Sequence, residues 1–114
     1  MKMTYKIYQL KHTTRLMRAQ FRSYQTATLA VSDLSFADYK EVWSETLTVC
    51  QENYDYLDFL NGVYRVFNIA IPKGYKGHNL SVSDIIEVDG VRYYVDSFGF
   101  VEINDKFEKI GSVP

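Results

Sequence analysis

The sequence is short of the residues that staple, kink or loosen a chain. Its 114 residues include one cysteine, two prolines and six glycines. A lone Cys50 cannot close an internal disulfide, which fits a reducing compartment and leaves packing to hold the fold. No stretch of 18 apolar residues is present, which excludes a transmembrane helix. The opening Met-Lys-Met-Thr-Tyr-Lys lacks an apolar signal core and a small-residue cleavage site, so the expected location is the cytoplasm. With 46% apolar and 16% aromatic residues, the chain has the side chains to offset its ordering entropy, and disorder and low-complexity sequence are excluded. The length suits one domain over residues 1–114.

Net charge is also scarce, at −1, but that figure is a cancellation. Residues 1–32 hold Lys2, Lys6, Lys11, Arg15, Arg18 and Arg22 and no acid. Residues 33–62 hold Asp33, Asp38, Glu41, Glu45, Glu52, Asp55 and Asp58 against Lys40 alone. Such asymmetry bears on partners and not on fold.

Alternation over residues 3–10 predicts a first strand with Tyr5 and Ile7 on one face. Residues 13–24 fit a helix that gathers Lys11, Arg15, Arg18 and Arg22 in one arc, and residues 26–31 read as extended. From Ser35 a capping-box-like start leads into a second helix, with Phe36, Tyr39, Trp43, Leu47 and Cys50 as its apolar stripe and Asp38, Glu41 and Glu45 on the opposite face. On that stripe Cys50 reads as a small buried hydrophobe. A third helix spans about 54–67, with Leu57, Leu60, Tyr64 and Phe67 inward and Gly62 marking a close approach between helices. Ile85–Val88 and Val91–Val95 form a hairpin around Asp89-Gly90, followed by a short strand 100–103 and a loose tail 104–114. The predicted fold is a small α+β domain, an antiparallel sheet of the N-terminal strand and the C-terminal meander, with two to three helices packed on one side.

No catalytic constellation is evident. His12 and His78 stand far apart without neighbours at ligand spacing, so neither metal nor cofactor is expected. Asp84, Glu87 and Asp96 are candidates for an acidic cluster, yet turn, cap and solvent-face roles suit them better. Two surfaces remain. The basic face, Lys11, Arg15, Arg18 and Arg22, suits phosphates or an acidic protein. The acidic face, Asp38, Glu41 and Glu45, suits a basic channel on another protein. The apolar side of residues 13–24, mixed with Ala19 and Gln20, is too short for membrane adsorption.

The run Gly77-His78-Asn79-Leu80-Ser81-Val82-Ser83-Asp84, with Tyr93-Tyr94-Val95-Asp96-Ser97-Phe98-Gly99-Phe100 after it, resembles the YodL-like domain of Firmicutes mobile genetic elements. Tyr5–Leu10 and the segment around Tyr39 and Trp43 also follow that pattern, so the resemblance covers about residues 4–103. In these motifs Ser81, Ser83 and Asp84 are expected to fix the entry to a strand, Gly99 to bend the chain, and Phe98 and Phe100 to reach packed positions. His78 and Asp96 are candidates for a pair. The setting of the family implies counter-defence. A free-standing chain of this size also resembles small anti-CRISPR inhibitors, whose partner is a type II CRISPR effector nuclease. The expected action is stoichiometric blockage of guide-RNA loading or of the nucleic-acid channel, without catalysis. The alternatives are a nucleic-acid-binding accessory protein of element transfer or replication, with RNA or DNA contact, and a nuclease acting on guide RNA through His78, Asp84 and Asp96.

Overall fold

The computed structural model describes residues 1–50 and 54–114; Glu52 of the acidic segment lies outside them. The first strand, β1 (Lys2–Leu10), alternates as expected, with Met3, Tyr5 and Ile7 buried. After a 3-10 turn at Leu16–Arg18 come α1 (Tyr24–Ala30), a second 3-10 turn (Phe36–Asp38) and β2 (Tyr39–Thr48). Helix α2 (Tyr56–Ile69) precedes the meander β3 (Ile85–Val88), β4 (Val91–Val95), β5 (Phe100–Ile103) and β6 (Lys109–Val113). The six strands form one sheet in the order β2-β1-β3-β4-β5-β6, and every neighbouring pair is antiparallel. The α+β fold is as predicted, and so is the β3–β4 hairpin. Its turn residues Asp89 and Gly90 both have positive φ, 47° and 88°, the geometry of the turn that matches strand twist.

Local expectations fail in several places. The second predicted helix is β2. Ile7 pairs with Trp43 and Tyr8 with Glu41, so Val42 is an extra residue in a bulge, and the bulge breaks the alternation that marks a strand. Cys50, just beyond β2, is therefore exposed and not on a buried stripe. The helix expected over 13–24 is a loop with one 3-10 turn, and α1 falls where extended chain was expected. Ser23 starts α1 by accepting from Thr26 N at 3.2 Å, and Thr28 Oγ1 donates back to Tyr24 O at 2.8 Å, which reconciles a β-branched residue with a helix. The tail is not loose. Lys109–Val113 pairs with β5, and Val113 is buried.

The helices divide between the two faces of the sheet and do not share one side. Leu60, Val63 and Phe67 of α2 pack with Met3, Tyr5, Ile7, Ile86 and Val95. Ala27 of α1 joins Leu16, Ala19 and Val31 over Leu10, Ile85, Tyr94 and Val101 on the other face. Adjacent residues such as Ile85 and Ile86, or Tyr93 and Tyr94, enter opposite cores because strand side chains alternate. Tyr64, expected inward, is exposed, and Val63 takes its place. A Cβ at Gly62 would meet nothing within 4 Å, so this glycine marks no close helix contact.

Candidate functional site

The polar residues of the sequence motif converge at one end of the sheet, where β1 ends and β3 begins. Their centre is Gln9, a buried glutamine on β1. Its Nε2 lies 3.0 Å from Asp84 Oδ2, 2.9 Å from the His78 carbonyl and 3.1 Å from Tyr75 Oη, and its Oε1 accepts from His78 N at 3.1 Å. Gly77 makes this approach feasible, since any Cβ there would collide with the Gln9 amide. His78 Nδ1 lies 2.7 Å from Asn79 O. Gln9 Nε2 also lies 3.2 Å from Nδ1, and the His78 Nε2 faces Asp84 Oδ1 at 3.9 Å, beyond hydrogen-bond length.

Asp84 is 1% exposed. Its Oδ2 accepts from Ser81 N at 2.8 Å as well as from Gln9, and its backbone N–H returns to Ser81 O. Burial pushes its carboxyl up to about 8, against the pull of the Ser81 amide and the Gln9 side chain. A carboxyl in this state can serve chemistry only where substrate reaches it, whereas Asp84 is spent on fixing the strand entry. Ser81 and Asp84 are joined directly before β3, and His78 is hydrogen-bonded to Gln9 in this cluster, while Asp96 lies with Tyr24.

Asp96 works elsewhere, accepting from Tyr24 N at 3.0 Å to hold the first residue of α1. Ser83 is buried with φ 87°, and its Oγ accepts from Phe21 N at 3.0 Å; Phe21 itself has φ 63°. Ser83 O also accepts from Tyr39 Oη at 2.6 Å. Gly99 has φ 66° and no room for a Cβ beside the Val113 carbonyl. Phe100 is buried, but Phe98 is 93% exposed and reaches no packed position.

The charged rows do not survive as rows. Asp38 closes the 3-10 turn by accepting from Ser35 N and binds Arg15 at 2.9 Å, while Arg15 also reaches Asp33 at 2.8 Å. Burial works to raise the Asp38 carboxyl, but the Arg15 and Ser35 hydrogen bonds overcome it and hold it below the usual range. Glu41 sits opposite Tyr8 and pairs with Lys6 at 3.5 Å. Glu45, opposite Tyr5 on the other face, accepts from Tyr5 Oη at 2.6 Å. Lys11 donates to Ala37 O at 2.8 Å. Of the basic four, Arg18 and Arg22 are exposed and form no ion pair among the described residues.

The third acid of the suggested cluster, Glu87, is engaged by Arg92 at 3.1 Å. Among the described residues no three His, Cys, Asp or Glu side chains stand together as a metal site, and no helix is long and apolar enough to cross a membrane. A groove of about 490 Å³ opens between α2 and the β1–β2 edge, lined by Tyr5, Leu47, Phe59, Gly62, Val63 and Phe67. Sequence pattern does not single out Gln9, Tyr75 or Phe21. The one available signal for Gln9 is a lone polar residue in a buried strand position, next to Leu10.

The family model of the YodL-like domain matches residues 4–107. No curated protein and no solved structure matches the chain.

Proposed function

The chain belongs to the YodL-like domain family, and from that membership we propose that it is a counter-defence protein of a mobile genetic element that acts by stoichiometric binding and not by turnover. The preferred partner is a type II CRISPR effector nuclease, blocked at guide-RNA loading or in its nucleic-acid channel. The observation that carries the binding mode is the use made of the family motif. Asp84 accepts from Ser81 and Gln9, Ser83 from Phe21, and Asp96 from Tyr24, so its polar atoms are engaged in joining elements. Tyrosine hydroxyls are spent in the same way, Tyr94 Oη on Arg22 O at 2.6 Å and Tyr24 Oη on Phe107 O at 2.7 Å. A chain that invests its polar side chains in rigidity presents a preorganised surface, which lowers the cost of binding.

A pull-down with a purified effector, with and without its guide, tests this reading. Retention on the guide-free effector and loss on the guide-loaded one supports blockage of loading. Absence from both rejects the partner. Charge reversal has to be chosen with care: Asp38→Lys and Glu45→Lys strike the turn and the Tyr5 contact, whereas Glu41→Lys loses only the exposed pair with Lys6 and is the least disruptive probe of an acidic contact.

A further inference from the structure

We propose that the end of the molecule built by residues 20–24, 82–84 and 96–99 is a docking platform for single-stranded nucleic acid, with Phe21 and Phe98 as stacking faces and Arg18 and Arg22 as phosphate contacts. This inference does not rest on the effector reading. Phe98 stands 93% exposed at the tip of a turn closed by Asp96 N donating to Gly99 O at 3.1 Å. The turn is fixed, because Gly99 at φ 66° lies against the Val113 carbonyl. Phe21 is 57% exposed, in the left-handed region at φ 63°. A bulky residue holds that conformation only where its surroundings impose it, and such residues gather at functional positions. Here the constraint is Ser83, itself at φ 87°, whose hydroxyl takes the Phe21 amide. The Phe21 ring stands edge-on to His78 at 5.6 Å between centroids.

Both rings hang from one girdle of hydrogen bonds. Ser83 N donates to Val95 O at 2.9 Å, Tyr94 Oη to Arg22 O, and Tyr24 N to Asp96 Oδ1. The segment from Phe21 to Tyr24 is thus tied across the end of β4, shortly before the Phe98 turn. The motif that looked structural therefore has a product, two exposed aromatic rings carried on backbone segments that it ties together. Charge at this end favours an anion. Arg18 and Arg22 are exposed without ion pairs among the described residues, Asp84 is buried, and Asp96 is committed to Tyr24. An acidic protein would answer the arginines alone. Exposed phenyl rings on two segments tied together, one of which carries these arginines, fit a strand whose bases are unstacked and whose backbone is charged, and a duplex hides the faces of its bases.

The test is fluorescence anisotropy of the full chain with a labelled 12-nucleotide oligo(U) or oligo(dT), a 12-base-pair duplex, and a labelled poly-glutamate peptide, at 50 and 200 mM salt. The strand is expected to bind more tightly than the duplex or the peptide. Phe98→Ala and Phe21→Ala should each weaken strand binding by roughly tenfold, within the range for removing one stacked base. Arg18→Ala and Arg22→Ala should each flatten the salt dependence, by about 0.7 in log–log slope for each phosphate left without its arginine. The Phe98 side chain stands in solvent, so its alanine variant keeps the fold and the test stays decisive even if the Phe21 variant does not. Absence of strand binding at 50 mM salt, indifference of binding to Phe98→Ala, or equal binding of the peptide overturns the proposal.

Discussion

At the scale of the residue, Gln9, Asp84 and Gly99 carry most weight. Asp84 has a folded-state pKa of about 8 against an ordinary 3.8. The native state therefore keeps its proton over a range in which the unfolded chain has released it. Linkage then makes its contribution to stability largest at low pH and lost as pH rises from about 4 to about 8. Denaturant unfolding across that window should show stability falling relative to Asp84→Asn, by on the order of a few kcal/mol in total. A difference that grows in the opposite direction contradicts a raised Asp84. Gln9→Ala should cost about 1–3 kcal/mol, since it leaves the His78 amide unpaired and the buried Asp84 with Ser81 N alone; a cost below about 0.5 kcal/mol in equilibrium unfolding contradicts the central place given to Gln9. For Gly99→Ala, the positive φ and the Val113 carbonyl predict a destabilisation of about 1–3 kcal/mol, read as a lowered thermal midpoint. None of these interior roles shows in the sequence as more than a short polar side chain near a glycine. The reason is distance: the partners of Gln9 lie 66 to 75 positions away.

Elements were legible where one signal dominated. β1, the β3–β4 hairpin and β5 follow from alternation and from Asp-Gly turn chemistry, and α2 from its spacing; its cap, Asp55 accepting from Leu57 N, is seen only in the structure. β2 was hidden by its bulge at Val42, which puts Tyr39, Trp43 and Leu47 at a spacing that imitates a helix. α1 was hidden by its threonines, because its start is set by Ser23 and by the distant Asp96. β6 has exposed Lys109 and Ile110 and a central Gly111, and it is recognisable only once β5 offers an edge. Its pairing predicts that a chain ending at Lys106 uncovers Phe100 and the β5 edge. Such a truncation should lower stability and bring a tendency to self-associate, measured by thermal unfolding and light scattering. Unchanged unfolding would return residues 107–114 to the status of a tail.

On the scale of the whole molecule, the charge partition visible in the sequence is largely dissolved by the fold. Arg15 neutralises Asp33 and Asp38, Lys6 meets Glu41, and Arg92 meets Glu87 and Asp105. Neither charged face persists as a continuous row, and which charges pair is decided by strand register and loop path, neither of which is written in the charge pattern. What survives is a domain whose family motif ties β1, α1 and the meander together. Its proposed action is binding without turnover. The most direct measurement titrates the purified chain into a fixed amount of a type II effector with guide RNA and target DNA, and follows cleavage and the length of the guide. Inhibition is expected to complete near one chain per effector with the guide intact. Inhibition at a small fraction of that ratio, or a shortened guide, would contradict it.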